Sequence, residues 1–366
     1  MTFSQQIGAV SLTRRTSMTM RSLPTTTDEE SSSALFSEFL VSPHSSKLVG
    51  RLQMANDFHH TPVLATTIVE LFAGLNSGII VDATLGGAGH ASRLLESSPH
   101  HRVLGIDRDP VARGAATVVL AAFGERARVV DGTFGDLDSL LIAHADFVAG
   151  DAVVGVLMDL GVSSVQLDTP ERGFSFRADA PLDMRMDNSD GVTAAEYLAA
   201  IEQHEHARLL HRHGETRFAG KIAFAIKRRQ PTTTAELVEA VESAVPLAAR
   251  RRGHVATRVF QALRVEVNDE ERQLERGLAA ALDVLDVGGL LAVIAYHSGE
   301  DRVVKATLHD AFTGGCHCPP ALGCVCGAVP RVRLLKASAV MASSNEIAAN
   351  PRARSARLRA AWKVAP

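Results

Sequence analysis

Apolar positions along this chain recur with two different periods, and the alternation between them sets the expected architecture. Short runs rich in Val, Ile and Leu, at residues 79–83, 102–106, 127–130, 153–158 and 290–295, have the length of buried strands. Helical patterns lie between them: 89–97, 110–123 with Pro110 suited to a first turn, and the amphipathic 269–285, which stops before Gly288 and Gly289. Strand, helix, strand in repeated order predicts an α/β, doubly wound parallel sheet with helices on both faces.

Between the fourth strand and the long helix, more than a hundred residues carry no convincing strand but three further helical stretches, 194–210, 217–229 and 234–245. Thr232, Thr233 and Thr234 supply an N-cap for the third. This reads as a helical domain over 167–255 inserted into a sheet domain over 56–166 and 256–366. Two last strands, 331–336 and 357–364, are expected to close the sheet as an antiparallel hairpin, joined by a loop that carries Asn350, Arg352 and Arg354. Residues 1–55 are rich in Ser, Thr and Met, have no sustained apolar period and hold no acid before Asp28, which predicts a disordered extension. Arg14, Arg15 and Arg21 there resemble a mitochondrial presequence of poor amphipathicity. A translation start at Met54 explains the same composition and is preferred, with a cytoplasmic location.

Composition sharpens this picture only locally. The 366 residues, 46% hydrophobic and 22% charged, suffice for a full core, and no apolar run approaches the roughly 20 residues that cross a bilayer. A net charge of −3 argues against a generic polyanion binder. Yet Arg250, Arg251, Arg252, Arg258 and Arg264 fall in a stretch, 243–265, without one acid, and eight Lys or Arg follow residue 330 against the single acid Glu346. Solvated helix faces explain either cluster alone; two of them flanking a ligand pocket favour a nucleic acid. The four cysteines, Cys316, Cys318, Cys324 and Cys326, are too closely grouped for a disulfide framework and suit a reducing compartment. Two Cys-x-Cys pairs could close a four-thiolate zinc site. The spacing is not the usual one, and Pro319 and Pro320 equally suit a surface loop, so no metal is assigned.

The chemistry concentrates at strand ends. Asp82, Thr84, Gly86, Gly87, Ala88, Gly89 and His90 follow the first strand and open a helix, so backbone there can approach a ligand where a Cβ would clash. Asp107, at the end of the second strand, can accept both hydroxyls of a ribose, a role shared by NAD-dependent dehydrogenases and S-adenosylmethionine enzymes. Ser92 replaces the third glycine or alanine of the dinucleotide pattern, and Asp82 and Thr84 put polar groups inside the turn. Both details lean toward the amino-acid tail of S-adenosylmethionine. Phe134, after the third strand, could flank an adenine ring. Asp159 ends the fourth strand, at the carboxyl edge where open α/β sheets bind ligands.

An exocyclic base amine is a poor nucleophile because its lone pair is delocalised into the ring. A carboxylate that accepts its N–H favours a more tetrahedral, reactive nitrogen, which makes Asp159 the candidate catalytic group. Three further polar strings follow strands or sit in loops: Glu171 to Phe176 with Asp183 to Asp187, His297 to Arg302, and Asn350 to Ser355. Arg185, Arg302, Arg352 and Arg354 could grip phosphates, Phe174 and Phe176 could stack on an extruded base, and His297 sits on the ligand edge after the fifth strand. Surface salt bridges are the plainer account of each taken singly.

Taken together with His60, Pro62 and the run from Gly105 to Asp109, these strings resemble the bacterial 16S ribosomal RNA cytosine N4-methyltransferases, the RsmH or MraW family, from about His60 to the end. The resemblance implies a class I methyltransferase fold with an inserted helical domain for substrate recognition. It also implies S-adenosyl-L-methionine as donor and a decoding-centre cytidine of the small ribosomal subunit as acceptor. Carried over by motif, the cofactor contacts are Ala88, Gly89, His90, Asp107, Phe134, Asp159 and Gln166; Arg185, His297, Arg302, Asn350 and Arg352 are expected on the RNA side from the polar strings themselves. The catalytic group is not settled by the resemblance, and oligomeric state stays open. Two departures stand out. Gly299 replaces the family's leucine after His297 and Ser298, which predicts a looser loop. Leu160, Gly161 and Val162 stand where amine methyltransferases of the DNA type carry an aromatic, so Phe176 or Tyr296 would have to stack on the base. The rival readings are an NAD-dependent oxidoreductase and a non-catalytic ribosome assembly factor.

Overall fold

The computed structural model describes residues 62–247, 255–319 and 325–366. The expected disorder of 1–55, the start at Met54, Arg250 to Arg252 and Cys324 lie outside the described residues. Five strands, β1 (Gly78–Asp82), β2 (His101–Asp107), β3 (Ala127–Asp131), β4 (Val153–Asp159) and β5 (Leu285–Ala295), are parallel and lie in the order 3-2-1-4-5. Three more, β6 (Val332–Leu334), β7 (Val340–Met341) and β8 (Arg357–Lys363), extend it antiparallel, β8 pairing with β5 and the other two with β8. The expected closing hairpin is thus present; β7 is an addition too short to carry a pattern.

The described α-helices of five or more residues, in chain order, are α1 (Ala65–Phe72), α2 (Gly89–Ser97), α3 (Pro110–Leu120), α4 (Leu137–Ala143), α5 (Ser164–Asp168), α6 (Ala194–Ala200), α7 (Gln203–Arg212), α8 (Ala219–Arg229), α9 (Thr234–Ala244), α10 (Val255–Val267), α11 (Glu270–Val284), α12 (Ser298–Thr313) and α13 (Ser344–Ala349). Side chains alternate across the sheet as the period of two requires. Ile79 and Val81 of β1 join Leu137, Leu274, Leu278 and Leu308 on one face. Ile80 joins Ile68, Phe72, Leu94 and Ala116 on the other.

A third core is built mainly from helices and holds Leu198, Leu209, Ile222, Leu237 and Val241 with Val255, Val259, Phe260 and Leu263. By packing, α10 therefore belongs with the helices, although the expected boundary at residue 255 gave it to the sheet domain. Its arginines masked an apolar stripe at helical spacing. The single helix expected over 194–210 is broken between α6 and α7. Ile201 is extended, and the Lys227 ammonium donates to the carbonyls of Ala199 and Ile201, both at 2.9 Å, which gives the frayed helix end a partner. No helix among the described residues is long and apolar enough to cross a membrane.

Candidate active site

The strand order reverses around β1, whose neighbours are β2 on one side and β4 on the other. Chain leaving those ends diverges to opposite faces and opens a crevice, the usual ligand position in such sheets. Here β1 to β4 all end in aspartate, at Asp82, Asp107, Asp131 and Asp159. A cleft of about 440 Å³ occupies the crevice, lined by Gly86, Gly87, Gly89, His90, Asp107, Phe134, Asp159 and Gln166 among others, with Arg264, Asn268 and Glu270 on the side of the helical core.

The glycine loop is clamped from below. Asp107 Oδ2 accepts from the Gly86 amide at 2.7 Å and Oδ1 from the Asp109 amide at 2.8 Å. Gly86 has φ +52°, and a Cβ there would project into open space, so its glycine serves the backbone turn and leaves room beside it. Ala88 is fully buried and left-handed at φ 64°, and as N-cap of α2 it provides no side-chain hydrogen bond. The first turn of α2 thus has no side-chain cap beside the cleft that Gly89 and His90 line. Burial pushes the Asp107 carboxyl up to about 6 against the pull of the Asp109 and Gly86 amides. Asp82 lies behind the lining, fully buried, with Oδ2 lacking any hydrogen-bond partner, and burial raises it to about 6 as well while His90 opposes the rise.

Asp159 is held at three points. Its amide donates to Thr84 Oγ1 at 2.6 Å, its Oδ1 accepts from the Tyr296 hydroxyl at 2.8 Å, and its Oδ2 stands 3.5 Å from His90 Nε2. That contact is an approach rather than a hydrogen bond, since His90 Nε2 has no hydrogen-bond partner. Burial, and then the Asp159 charge, hold the Tyr296 phenol far above its ordinary range, so it stays a donor. The Asp159 side chain keeps 23% exposure, enough to meet a ligand.

Two buried polar networks join the helical core to this edge. Arg264, from α10, makes a two-pronged pair with Glu270 at 2.8 and 2.9 Å and reaches Glu300 at 3.4 Å. Glu300 in turn accepts from the amides of Tyr296 at 2.7 Å and His297 at 3.2 Å. Farther out, Asp109 Oδ2 accepts from Arg172 and Gln166, both at 2.9 Å, and Arg172 donates to the carbonyls of Arg185 and Met186.

Of the expected cofactor residues, Gly89, His90, Asp107, Phe134, Asp159 and Gln166 line the one cleft, and Ala88 supports it from within. Both ends of the Gln166 amide are already engaged, by Asp109 and by the Ser163 amide, so it shapes the wall. On the RNA side only Arg352 lines the cleft, its guanidinium against both Asp168 oxygens at 2.8 Å. Arg185 is forked onto Asp183 at 2.7 and 2.8 Å, and Asn350 caps the following turn by accepting from the Arg352 amide.

The string at 297–302 is the start of α12 rather than a loop. His297 is its N-cap, Nδ1 accepting from the Gly299 and Glu300 amides, and Arg302 is exposed on the first turn. Gly299 therefore sits inside a capped helix, where a Cβ would press on the His297 ring at 3.0 Å. Phe174 and Phe176 are not base platforms: the first is buried in the helical core and the second packs edge-on to Phe260 at 5.0 Å. The basic clusters are largely matched within the fold, Arg258 by Glu215, Arg331 by Asp283, and Arg357 and Arg359 by Asp301. Thr84, expected inside the turn, lines the cleft, as do Arg264, Glu270 and Asn268, which were not singled out for it; Tyr296, named only as an aromatic that could stack on the base, lines it with its hydroxyl on Asp159.

A helix N-terminus beside the Asp107 and Asp159 carboxylates suits a zwitterionic, cationic ligand. With the strand order, this defines a class I S-adenosylmethionine-dependent methyltransferase. The family model described as the MraW methylase family matches residues 57–364, and the chain belongs to that family. Its relatives include the ribosomal RNA small subunit methyltransferase H of Geobacter sulfurreducens, 48% identical over 84% of this chain and 99% of that protein. The protein of the same name from Geotalea uraniireducens is 46% identical over 84% and 100%. A solved rRNA methylase from Streptococcus thermophilus superposes with a TM-score of 0.33 at 14% identity, over 82% of this chain and 94% of that one. The assignment rests on the sequence relatives. The enzyme uses S-adenosyl-L-methionine, and the oxidoreductase reading falls away.

Proposed function

We propose that this methyltransferase modifies the exocyclic N4 of a decoding-centre cytidine in 16S ribosomal RNA of the small subunit, in the cytoplasm. The names of its relatives support the RNA class. The carrying observation is that Gly89, Asp107 and Asp159 line a single cleft in which Tyr296 orients the Asp159 carboxylate. In this reading the first-turn amides of α2 receive the carboxylate of the cofactor's methionine end, Asp107 its ribose, and Phe134 the edge of its adenine. The bound cofactor supplies an electrophilic methyl group on a sulfonium. Asp159 holds one N–H of the cytidine amine and takes the proton that N4 sheds once it carries the new bond. Tyr296, donating to Oδ1, leaves Oδ2 for that contact. The helical core, with Arg352 at the rim, forms the RNA-facing side.

Incubation with methyl-labelled donor and small subunits lacking this modification should label one cytidine, located by mass spectrometry of RNase fragments. No label on subunits that a family relative does modify would sink the reading. Arg352→Ala is expected to weaken subunit binding several-fold and to flatten its salt dependence, with cofactor affinity unchanged. Cofactor affinity should also depend on pH through Asp107. With the carboxyl near 6, it is ionised above that pH and mostly protonated at pH 5. Calorimetric Kd for S-adenosylhomocysteine is therefore expected to rise about tenfold from pH 8 to pH 5, as only the ionised fraction binds fully. Asp107→Asn should bind weakly at both pH values and lose that slope.

A further inference from the structure

Cys316, Cys318 and Cys326 take no part in the cleft, and none of the described residues from 314 to 330 lines it. They sit in the loop between α12 and β6, and the base of that loop is tightly closed. The Arg331 amide donates to the Ala311 carbonyl at 2.8 Å. Gly314, at φ +63°, ends α12 against the returning chain, where a Cβ would lie 2.3 Å from the Val329 carbonyl oxygen. Among the described residues from 315 to 330 none is buried, and Val325 is 88% exposed. A segment of this kind needs another source of order.

The thiols converge there. Sγ atoms of Cys316, Cys318 and Cys326 all lie within 4.8 Å of one another, although eight residues separate the last two. Backbone amides of Val325 and Cys326 hydrogen-bond to Cys318 Sγ, the kind of contact that stabilises a thiolate bound to a cation. Tetrahedral Zn–S bonds of about 2.3 Å put ligand sulfurs just under ~4 Å apart, a spacing that falls inside this limit. Soft sulfur donors without a carboxylate exclude magnesium and calcium.

We infer that Cys316, Cys318 and Cys326 bind a structural Zn²⁺ ion that organises the loop between α12 and β6. Binding displaces the thiol protons, which pass to solvent, and involves no change of oxidation state. The site staples the chain just before β6, and its role is independent of methyl transfer.

Full-length protein, purified reduced and without chelator, should carry about one zinc per chain by plasma mass spectrometry after desalting. Cobalt exchanged into it should give the intense visible bands of a tetrahedral thiolate complex, with charge-transfer intensity for three or four sulfurs. Cys316→Ser combined with Cys326→Ser should lose the metal while keeping S-adenosylhomocysteine affinity, and should be cut faster by protease between 314 and 330. Wild-type protein supplied with zinc yet holding less than about a tenth of an equivalent would overturn the inference. So would a cobalt spectrum with two sulfurs or fewer, zinc retained by the double variant, or thiols trapped from cells as a disulfide. Should the double variant not fold, the wild-type cobalt spectrum decides alone.

Discussion

Asp159→Asn is expected to lower kcat by about 10²–10⁴-fold, the range for loss of a positioned proton acceptor, with S-adenosylhomocysteine affinity within a few-fold of wild type. The asparagine keeps the shape and can still accept from Tyr296. It cannot take a proton, and its amide presents a donor to an amine that also needs an acceptor. Single-turnover rates on small subunits, with cofactor Kd from calorimetry, separate chemistry from binding. Tyr296→Phe is the graded companion. It removes the 2.8 Å hydrogen bond to Oδ1 and frees the carboxylate to turn, for an expected loss of roughly tenfold in kcat with KM little changed. An Asp159→Asn enzyme that turns over at the wild-type rate would make the carboxylate structural, and the amine would have to lose its proton elsewhere.

Arg264→Met should be the most destabilising single change in the cleft wall, by about 3–5 kcal/mol at pH 8, the usual cost of stripping one partner from a buried ion pair. Arg264 is the shared cation of Glu270 and Glu300, each with side-chain exposure of 13% or less. Without it two buried carboxylates face each other. Burial, with Arg264 opposing, already raises Glu270 above its ordinary value. Burial also works against Glu300, but hydrogen bonding and charge from His297, then Arg264, keep it below its ordinary value. In the variant both values rise, so the folded state takes up a proton that the unfolded chain lacks in the pH window above the ordinary carboxylate range. The deficit should therefore shrink as pH falls from 8 toward 5. Urea unfolding at both pH values reads this directly; an equal loss at each would mean that packing, not charge, is responsible. Because Glu300 also holds the Tyr296 amide, kcat should fall with stability, and Arg264→Lys should restore part of each.

The division between pattern and packing is clear in particular elements. The five parallel strands were legible as short continuous apolar runs because both their faces are buried, and the helices α2, α3, α8, α9 and α11 because each buries one stripe at helical spacing. The same local logic brought out the glycine loop, Asp107 and Asp159, since a strand end in an open α/β sheet points to the crevice wherever the strand lies in sequence. What misled was polarity. Arg264 counted as part of a phosphate-seeking cluster, and the string from His297 to Arg302 as an exposed loop, because a one-dimensional pattern cannot tell a solvated charge from one whose counter-ion arrives from another element. Phe174 and Phe176 failed as base platforms for the complementary reason, as their apolar neighbours come from α10.

Composition and periodicity by themselves thus determined the sheet, its doubly wound class and which strand ends carry chemistry, because those properties follow from local geometry repeated along the chain. Only the tertiary structure decided that Tyr296 orients Asp159, that Arg264 is a buried tie from the helical core to the first turns of α11 and α12, and that three thiols meet beyond α12. Each depends on distances between residues far apart in sequence, which are set by how the helices settle on the sheet and leave no periodic trace.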